Sequence, residues 1–299
     1  MKKNVKRWLL ACALTTLCSL ATAQTSNQLR GTLKKIRDTG TVTLGIRASS
    51  SPFSYLNAKG HPIGYSVELC RAIVDEISNQ IEGKMPLIRY VIVTPQSRID
   101  DLVSGKIDLE CGSTTSNLER QKQVAFSPVY FVAGTKVLVR KAEPIETFRD
   151  LKGKTIVVTA GTTNEVAMRR INEQFALGLT VVTARDHADS FNMVATGKAD
   201  AFALDDVLLY GLIAKNKAQS GFSVVGDYLS YDPYGIMYRK DDPEMAELVN
   251  RVFRNLAESG ELEYRYNRWF LHTLPNGEQL NLPMSAQLRE YFHILGAPE

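Results

Sequence analysis

Strand and helix signals alternate along this chain in two series, and both series contain the same local junction. In the first, residues 42–46 read as a strand and 65–81 as an amphipathic helix, with Val67, Cys70, Val74, Ile77 and Ile81 near helical spacing. Residues 87–93 follow as a strand. Residues 98–104 form a short helix that Gly105 can end in left-handed geometry, and 107–111 form a strand. The second series has strands at 155–159, 180–183 and 201–204, and helices at 164–175, 186–196 and 206–216. Leu102-Val103-Ser104-Gly105-Lys106-Ile107-Asp108 resembles Met193-Val194-Ala195-Thr196-Gly197-Lys198-Ala199-Asp200: each is a helix end, a glycine stop and a strand start. Two α/β lobes are expected, which suits the length.

Segments 134–140 and 235–239 look extended and bracket the second series. If both cross between lobes, near 134–137 and 235–237, the chain leaves one lobe, completes the other and returns. The lobes are then 24–134 with 238–299, and 135–237. Asp242-Pro243 starts a helix with Asp at the cap and Pro in the first turn. Met245, Leu248, Val249, Val252, Phe253 and Leu256 form its apolar face, and 261–270 continues as an amphipathic helix with Trp269. The Pro-, Asn- and Gly-bearing tail after Leu274 is expected to wrap the surface.

The chain has 299 residues, with Lys+Arg 36 against Asp+Glu 32. The excess lies in the first 23 residues, where Lys2, Lys3, Lys6 and Arg7 stand without an acid; removing these four leaves 32 against 32. No global charge supports nucleic-acid binding. A basic start, a mostly apolar run over 8–20 and the small residues Ala21-Thr22-Ala23 have the layout of a cleavable secretory signal, residues 1–23. The apolar run falls short of the roughly 20 residues a membrane span needs. Leu9-Leu10-Ala11 before Cys12 also allows a lipoprotein reading, with only 8–11 as its apolar core. Cys12 and Cys18 leave with the signal. Cys70 and Cys111 remain, as one disulfide or as two buried thiols. His61, His187, His272 and His293 are scattered, so no zinc spacing exists and no metal is expected.

Six strands deliver polar residues to loops at their carboxyl ends, where open α/β sheets bind ligands. Arg47 follows the first strand, and Pro95-Gln96-Ser97-Arg98 the next. Gly112-Ser113-Thr114-Thr115 follows the third, with Arg120 five residues beyond Thr115. Gly161-Thr162-Thr163, Asp186-His187 and Asp205 close the strands of the second series. Singly, Ser113, Thr115 and Thr163 read as helix caps and the arginines as solvated side chains. Jointly they suit a ligand with more than one carboxylate and one ammonium, because a guanidinium matches a carboxylate bidentately. No Gly-x-Ser-x-Gly elbow, Lys-bearing phosphate loop or Gly-x-Gly-x-x-Gly occurs, so neither catalysis nor a cofactor is indicated.

Across about residues 33–270 the sequence closely resembles the periplasmic glutamate/aspartate-binding proteins of bacterial ABC transporters, within the polar amino-acid solute-binding family. The most specific blocks are Glu110-Cys111-Gly112-Ser113-Thr114-Thr115-Ser116-Asn117-Leu118-Glu119-Arg120-Gln121-Lys122, Gly161-Thr162-Thr163, Asp186-His187, Asp189-Ser190-Phe191 and Asp205-Asp206. The resemblance implies the type II periplasmic-binding-protein fold: two α/β lobes, joined by two crossing strands, that close on the ligand. It implies a non-catalytic periplasmic monomer that captures L-glutamate or L-aspartate and delivers it to permease subunits. Arg120, helped by Thr115 and Thr163, resembles the clamp on the α-carboxylate. Asp205, with Ser113 nearby, resembles the acceptor of the α-ammonium. Arg47, Arg98 and His187 resemble the group that meets the distal carboxylate. Pro95 stands where the family lining has a hydroxyl.

Arg47, Arg98 and Arg120 carry three positive charges. An acidic amino acid brings one net negative charge and Asp205 another, and a neutral His187 then leaves about one positive charge. Glutamine is expected to bind worse than glutamate, since a lost charged hydrogen bond costs ~1.5–3 kcal/mol. An enzyme on the same fold, of the cyclohexadienyl dehydratase type with Asp205 or His187 as acid, is the alternative. A detached sensory domain lacks any following span or signalling module.

Overall fold

β-Branched and leucine residues set the first strand inside a sheet, between two parallel neighbours. The computed structural model describes residues 29–298, apart from 82, 276 and 278. The expected signal and its cleavage after Ala23 lie outside the described residues. Helix α1 (Gly31–Thr39) leads into strand β1 (Thr41–Ile46), whose last five residues are buried. Three short antiparallel strands follow, β2 (Ser49–Ser50), β3 (Ser54–Leu56) and β4 (Pro62–Ile63). Helix α2 (Tyr65–Gln80) buries Val67, Cys70, Val74 and Ile77, the stripe its spacing requires. Strand β5 (Leu87–Ile92) runs parallel to β1. After helix α3 (Arg98–Val103), strand β6 (Leu109–Glu110) runs parallel along the other side of β1.

A single turn, α4 (Leu118–Gln121), precedes strand β7 (Val124–Phe126). Strand β8 (Phe131–Ala133) then leaves this sheet, and β9 (Thr135–Arg140) opens a second. The second sheet adds β10 (Thr155–Thr159), helix α5 (Thr163–Phe175), β11 (Thr180–Ala184), helix α6 (His187–Ala195), β12 (Ala201–Asp205), helix α7 (Asp206–Lys215) and β13 (Phe222–Val225). Its strand order is β11-β10-β12-β9-β13, with β9 antiparallel to both neighbours. Strand β14 (Asp232–Tyr234) returns antiparallel to β8, and β15 (Met237–Arg239) enters the first sheet between β6 and β7.

The crossing therefore differs in place from the expectation at 134–137 and 235–237. It is made by β8 and β14, while Thr135 already belongs to the second sheet and Met237 to the first. Gly134 and Gly235 sit just after the crossing strands. Helices α8 (Pro243–Glu258) and α9 (Glu261–Phe270) pack on the first sheet's side, with Asp242 capping α8 through Met245 N–H at 3.3 Å. The tail runs along the outside of α8 and α9 and adds an element the sequence reading did not name. It forms helix α10 (Ala286–Leu295), capped by Ser285, with Leu288 and Phe292 buried. Gln287–Phe292 keeps apolar residues at i and i+4, a stripe that the preceding Pro, Asn and Gly residues obscured.

Cys70 and Cys111 form a disulfide, with Cα atoms 6.1 Å apart. It ties α2 to the residue after β6, directly before the Gly112–Thr115 loop. An aromatic cluster, Phe53, Tyr65, Phe131, Tyr234, Tyr266 and Phe270, fills the base beneath the crossing, with Phe131 stacked on Phe270 at 4.9 Å. Phe131 and Tyr234 are thus held by the first lobe's core.

Candidate ligand-binding site

The parallel strands of both sheets end on facing edges, and the loops that follow them meet across one cleft. Arg47, Arg98, Ser113, Thr115, Thr162, Thr163, Asn164, His187, Leu204, Asp205 and Leu208 line a tight cavity there of about 10 Å³. Seven of the eight residues singled out in the sequence are on this wall. Arg120 is the exception. It borders the adjoining groove, behind Thr115 and Thr163 and beside Asp232.

Local folding explains why these groups point inward. Thr162 accepts the Glu165 N–H and caps α5, which leaves Thr163 free of that duty. Asp186 accepts the N–H groups of Ala188 and Asp189, so His187 begins α6 with its ring turned into the cleft. Arg47 is 1% exposed and its Nη2 lies 3.5 Å from His187 Nε2. His187 Nδ1 is 2.9 Å from Thr159 Oγ1, so a ring proton on Nδ1 can donate there while Nε2 faces the guanidinium. Burial, then Arg47 and Arg98, push the imidazole well below its ordinary value, and it is neutral at pH 7. Arg98 Nη1 donates to Thr114 Oγ1 at 2.5 Å and to Ser113 O at 3.5 Å. Burial and repulsion from Arg98 bring Arg47 down to about 9. Arg47 Nη1, Arg98 Nε and Ser113 Oγ are buried with no partner in the protein.

The other end of the cavity holds acids. Asp205 accepts from Asn164 Nδ2 at 2.7 Å and from the Tyr234 hydroxyl. Burial, then the charge of Asp232, raise its carboxyl to about 7, against the pull of those two hydrogen bonds. Asp232 Oδ1 accepts from Thr115 Oγ1 at 2.9 Å and Thr163 Oγ1 at 2.8 Å, and Ser230 donates to Oδ2. One carboxylate on crossing strand β14 thus joins a hydroxyl from each lobe. Arg120 also spans the cleft: Nη1 donates to Thr115 O at 2.9 Å and Nη2 to Gly161 O at 3.4 Å. Burial and repulsion from Arg98 bring it down to about 9.

The sequence reading missed Glu110 and Asp232, both at most 2% exposed. Its charge count therefore omitted two acids beside the three arginines. Glu110 had a visible signal, an acid in a strand flanked by Leu109 and Cys111. Asp232 had none, because it lies on a short strand whose place became clear only with the crossing.

Residues 42–272 match the model of the bacterial extracellular solute-binding proteins, family 3. The chain belongs to this family. Within it, an L-glutamate/L-aspartate-binding protein of Pseudomonas aeruginosa is 43% identical over 267 residues, covering 89% of this chain and 88% of the relative. A glutamate/aspartate import solute-binding protein of Escherichia coli is 38% identical over 282 residues, covering 94% and 93%. A crystal structure of a mutant ArgBP from T. maritima superposes with a TM-score of 0.72 at 30% identity, covering 81% of this chain and all of that one. The fold is that of these two-lobed family 3 proteins.

Proposed function

We propose that this chain captures a dicarboxylic amino acid, L-glutamate or L-aspartate, between its two lobes and delivers it to the permease subunits of an ABC transporter. One observation carries the reading: Arg47 Nη1, Arg98 Nε and Ser113 Oγ are buried on a single cavity wall without partners. Unsatisfied buried donors are costly, so a ligand that brings acceptors is favoured there. Arg47, Arg98 and neutral His187 take the distal carboxylate. Asp205, with Ser113 alongside, takes the α-ammonium. Arg120 takes the α-carboxylate with Thr115 and Thr163. Each hydroxyl has a single hydrogen, now donated to Asp232. The ligand's carboxylate therefore takes these donors over as it enters. The second lobe runs from β9 to β13, the first holds the remaining sheet and helices, and they hinge at β8 and β14. The mature protein works in the periplasm as a monomer, without metal, cofactor or nucleic acid.

The relatives are named as binding proteins, which supports capture over the dehydratase alternative. Thermal melting against a panel of amino acids tests the reading. A ligand at 100 times its Kd stabilises by about 2.7 kcal/mol. Glutamate or aspartate is expected to raise Tm clearly, and the absence of any shift with both refutes the proposal. Turnover of prephenate or arogenate would favour the enzyme.

A further inference from the structure

Glu110 is a buried acid that the reading above leaves without a task. It is fully buried on β6, and its Oε2 accepts from Thr114 Oγ1 at 2.7 Å. The same Thr114 oxygen accepts from Arg98 Nη1 at 2.5 Å. Its other oxygen, Oε1, is buried without a partner. That oxygen lies against Gly112, where a Cβ would stand 2.2 Å from it and 3.0 Å from Arg47 Cγ. The carboxylate is therefore packed beside the stem of Arg47 and joined to Arg98 through one hydroxyl, behind the wall of the cavity. Glu110 does not line that wall.

Two guanidiniums and one carboxylate at the distal end sum to a single positive charge, since His187 is neutral. A buried charge without a counter-charge is strongly disfavoured. We propose that Glu110 is the charge selector of this site: it cancels one of the two charges of Arg47 and Arg98, so that the distal end is matched by a side chain with one negative charge and rejects a dianion. The proposal rests on the reading of the cleft as an acidic amino-acid site. Gly112 belongs to the same device, because any side chain there would displace the carboxylate.

Calorimetry on the wild type and Glu110→Gln tests this with four probes. L-Glutamate and L-glutamine differ in side-chain charge at similar size. L-Homocysteate and L-2-amino-4-phosphonobutanoate are both tetrahedral, but at mildly alkaline pH the sulfonate carries one charge and the phosphonate two. In the wild type the sulfonate is expected to bind roughly tenfold or more tightly than the phosphonate. In Glu110→Gln that preference should vanish or invert, and discrimination of glutamate over glutamine should widen by roughly tenfold. Unchanged selectivity in a variant that still binds glutamate overturns the role of Glu110 and leaves the cleft's assignment standing. A wild type that binds no acidic amino acid overturns the assignment and this proposal with it. Should the variant not fold, the wild type decides: equal binding of sulfonate and phosphonate overturns the proposal, and if neither tetrahedral anion binds, Glu110→Asp replaces the variant in the glutamine comparison and is expected to keep the wild-type discrimination.

Discussion

Gly211 sits inside helix α7, a position where glycine costs about 0.8–1.0 kcal/mol relative to alanine. The reason for the glycine is on the other lobe. A Cβ on Gly211 would stand 2.2 Å from the Ser51 carbonyl oxygen and 2.9 Å from its carbon. Those are backbone atoms and cannot swing aside as a side-chain tip would. Gly211→Ala is therefore a wedge that acts only when the lobes meet. With the lobes apart, the added methyl meets nothing of the first lobe and improves the helix. The ligand-free variant should melt higher, by about 2–4 °C for each kcal/mol gained. Overpacking a well-fitted contact costs about 1–3 kcal/mol. Glutamate affinity should thus fall roughly five- to 150-fold. Calorimetry with glutamate and a melt of the ligand-free protein read the two effects separately. Unchanged affinity would mean that the bound form does not bring α7 against Ser51. A lowered ligand-free Tm would mean that the clash exists whether or not ligand is present, and the wedge argument would fail.

Arg120→Ala should abolish binding of every amino acid by calorimetry, because all share the α-carboxylate; near-native affinity would put Arg120 outside the site. Arg98→Ala should cost glutamate ~1.5–3 kcal/mol and glutamine less, and equal losses would show that Arg98 does not read the side chain. In the closed, ligand-free cleft the Asp205 carboxyl is raised to about 7, against ~3.9 unfolded, so its proton stabilises that closed form fully below about pH 4 and the gain is lost as pH rises through about 7. The ammonium needs the ionised carboxylate, and the closed cleft favours its proton below about pH 7, so glutamate binding should weaken with acid; calorimetry across pH checks this, and pH-independent affinity refutes it. Small-angle scattering should show a smaller radius of gyration with saturating glutamate, and an unchanged radius counts against closure.

The lobes were legible because helical and strand periodicities are local: α2, α5 and β10 lie within a residue or two of their expected bounds. The cleft was legible because polar loops after parallel strands gather at one edge, which placed Arg47, Ser113, Thr163, His187 and Asp205 together. Three things depended on distance. The place of the crossing was set by the pairing of β8 with β14, and two three-residue strands leave little pattern. The disulfide depended on a Cα separation across the fold. Glu110 and Asp232 depended on what packs around an acid, since an acid in a sequence reads first as a solvated one.

On the proposed reading, closure and recognition are one thermodynamic step in this cleft. Arg47, Arg98 and Arg120 come from the first lobe, and the groups that shut them from water come from the second: His187 beside Arg47, and Gly161 O on Arg120. Burial and the nearness of Arg98 already pull Arg47 and Arg120 down to about 9, which is the mark of cations held where charge is disfavoured. In the proposed open form those guanidiniums would face water and lose that penalty. Glu110 and Asp232 offset part of it when the lobes meet, and each is already satisfied in part by Thr114, Thr115 or Thr163. A ligand with two carboxylates offsets more of it than a ligand with one, and it does so only in the closed form. Differential affinity for one state is all that a ligand can use to shift an equilibrium. On that reading, selectivity for an acidic side chain resides in how far each ligand closes the lobes, rather than in whether it can touch the open cleft.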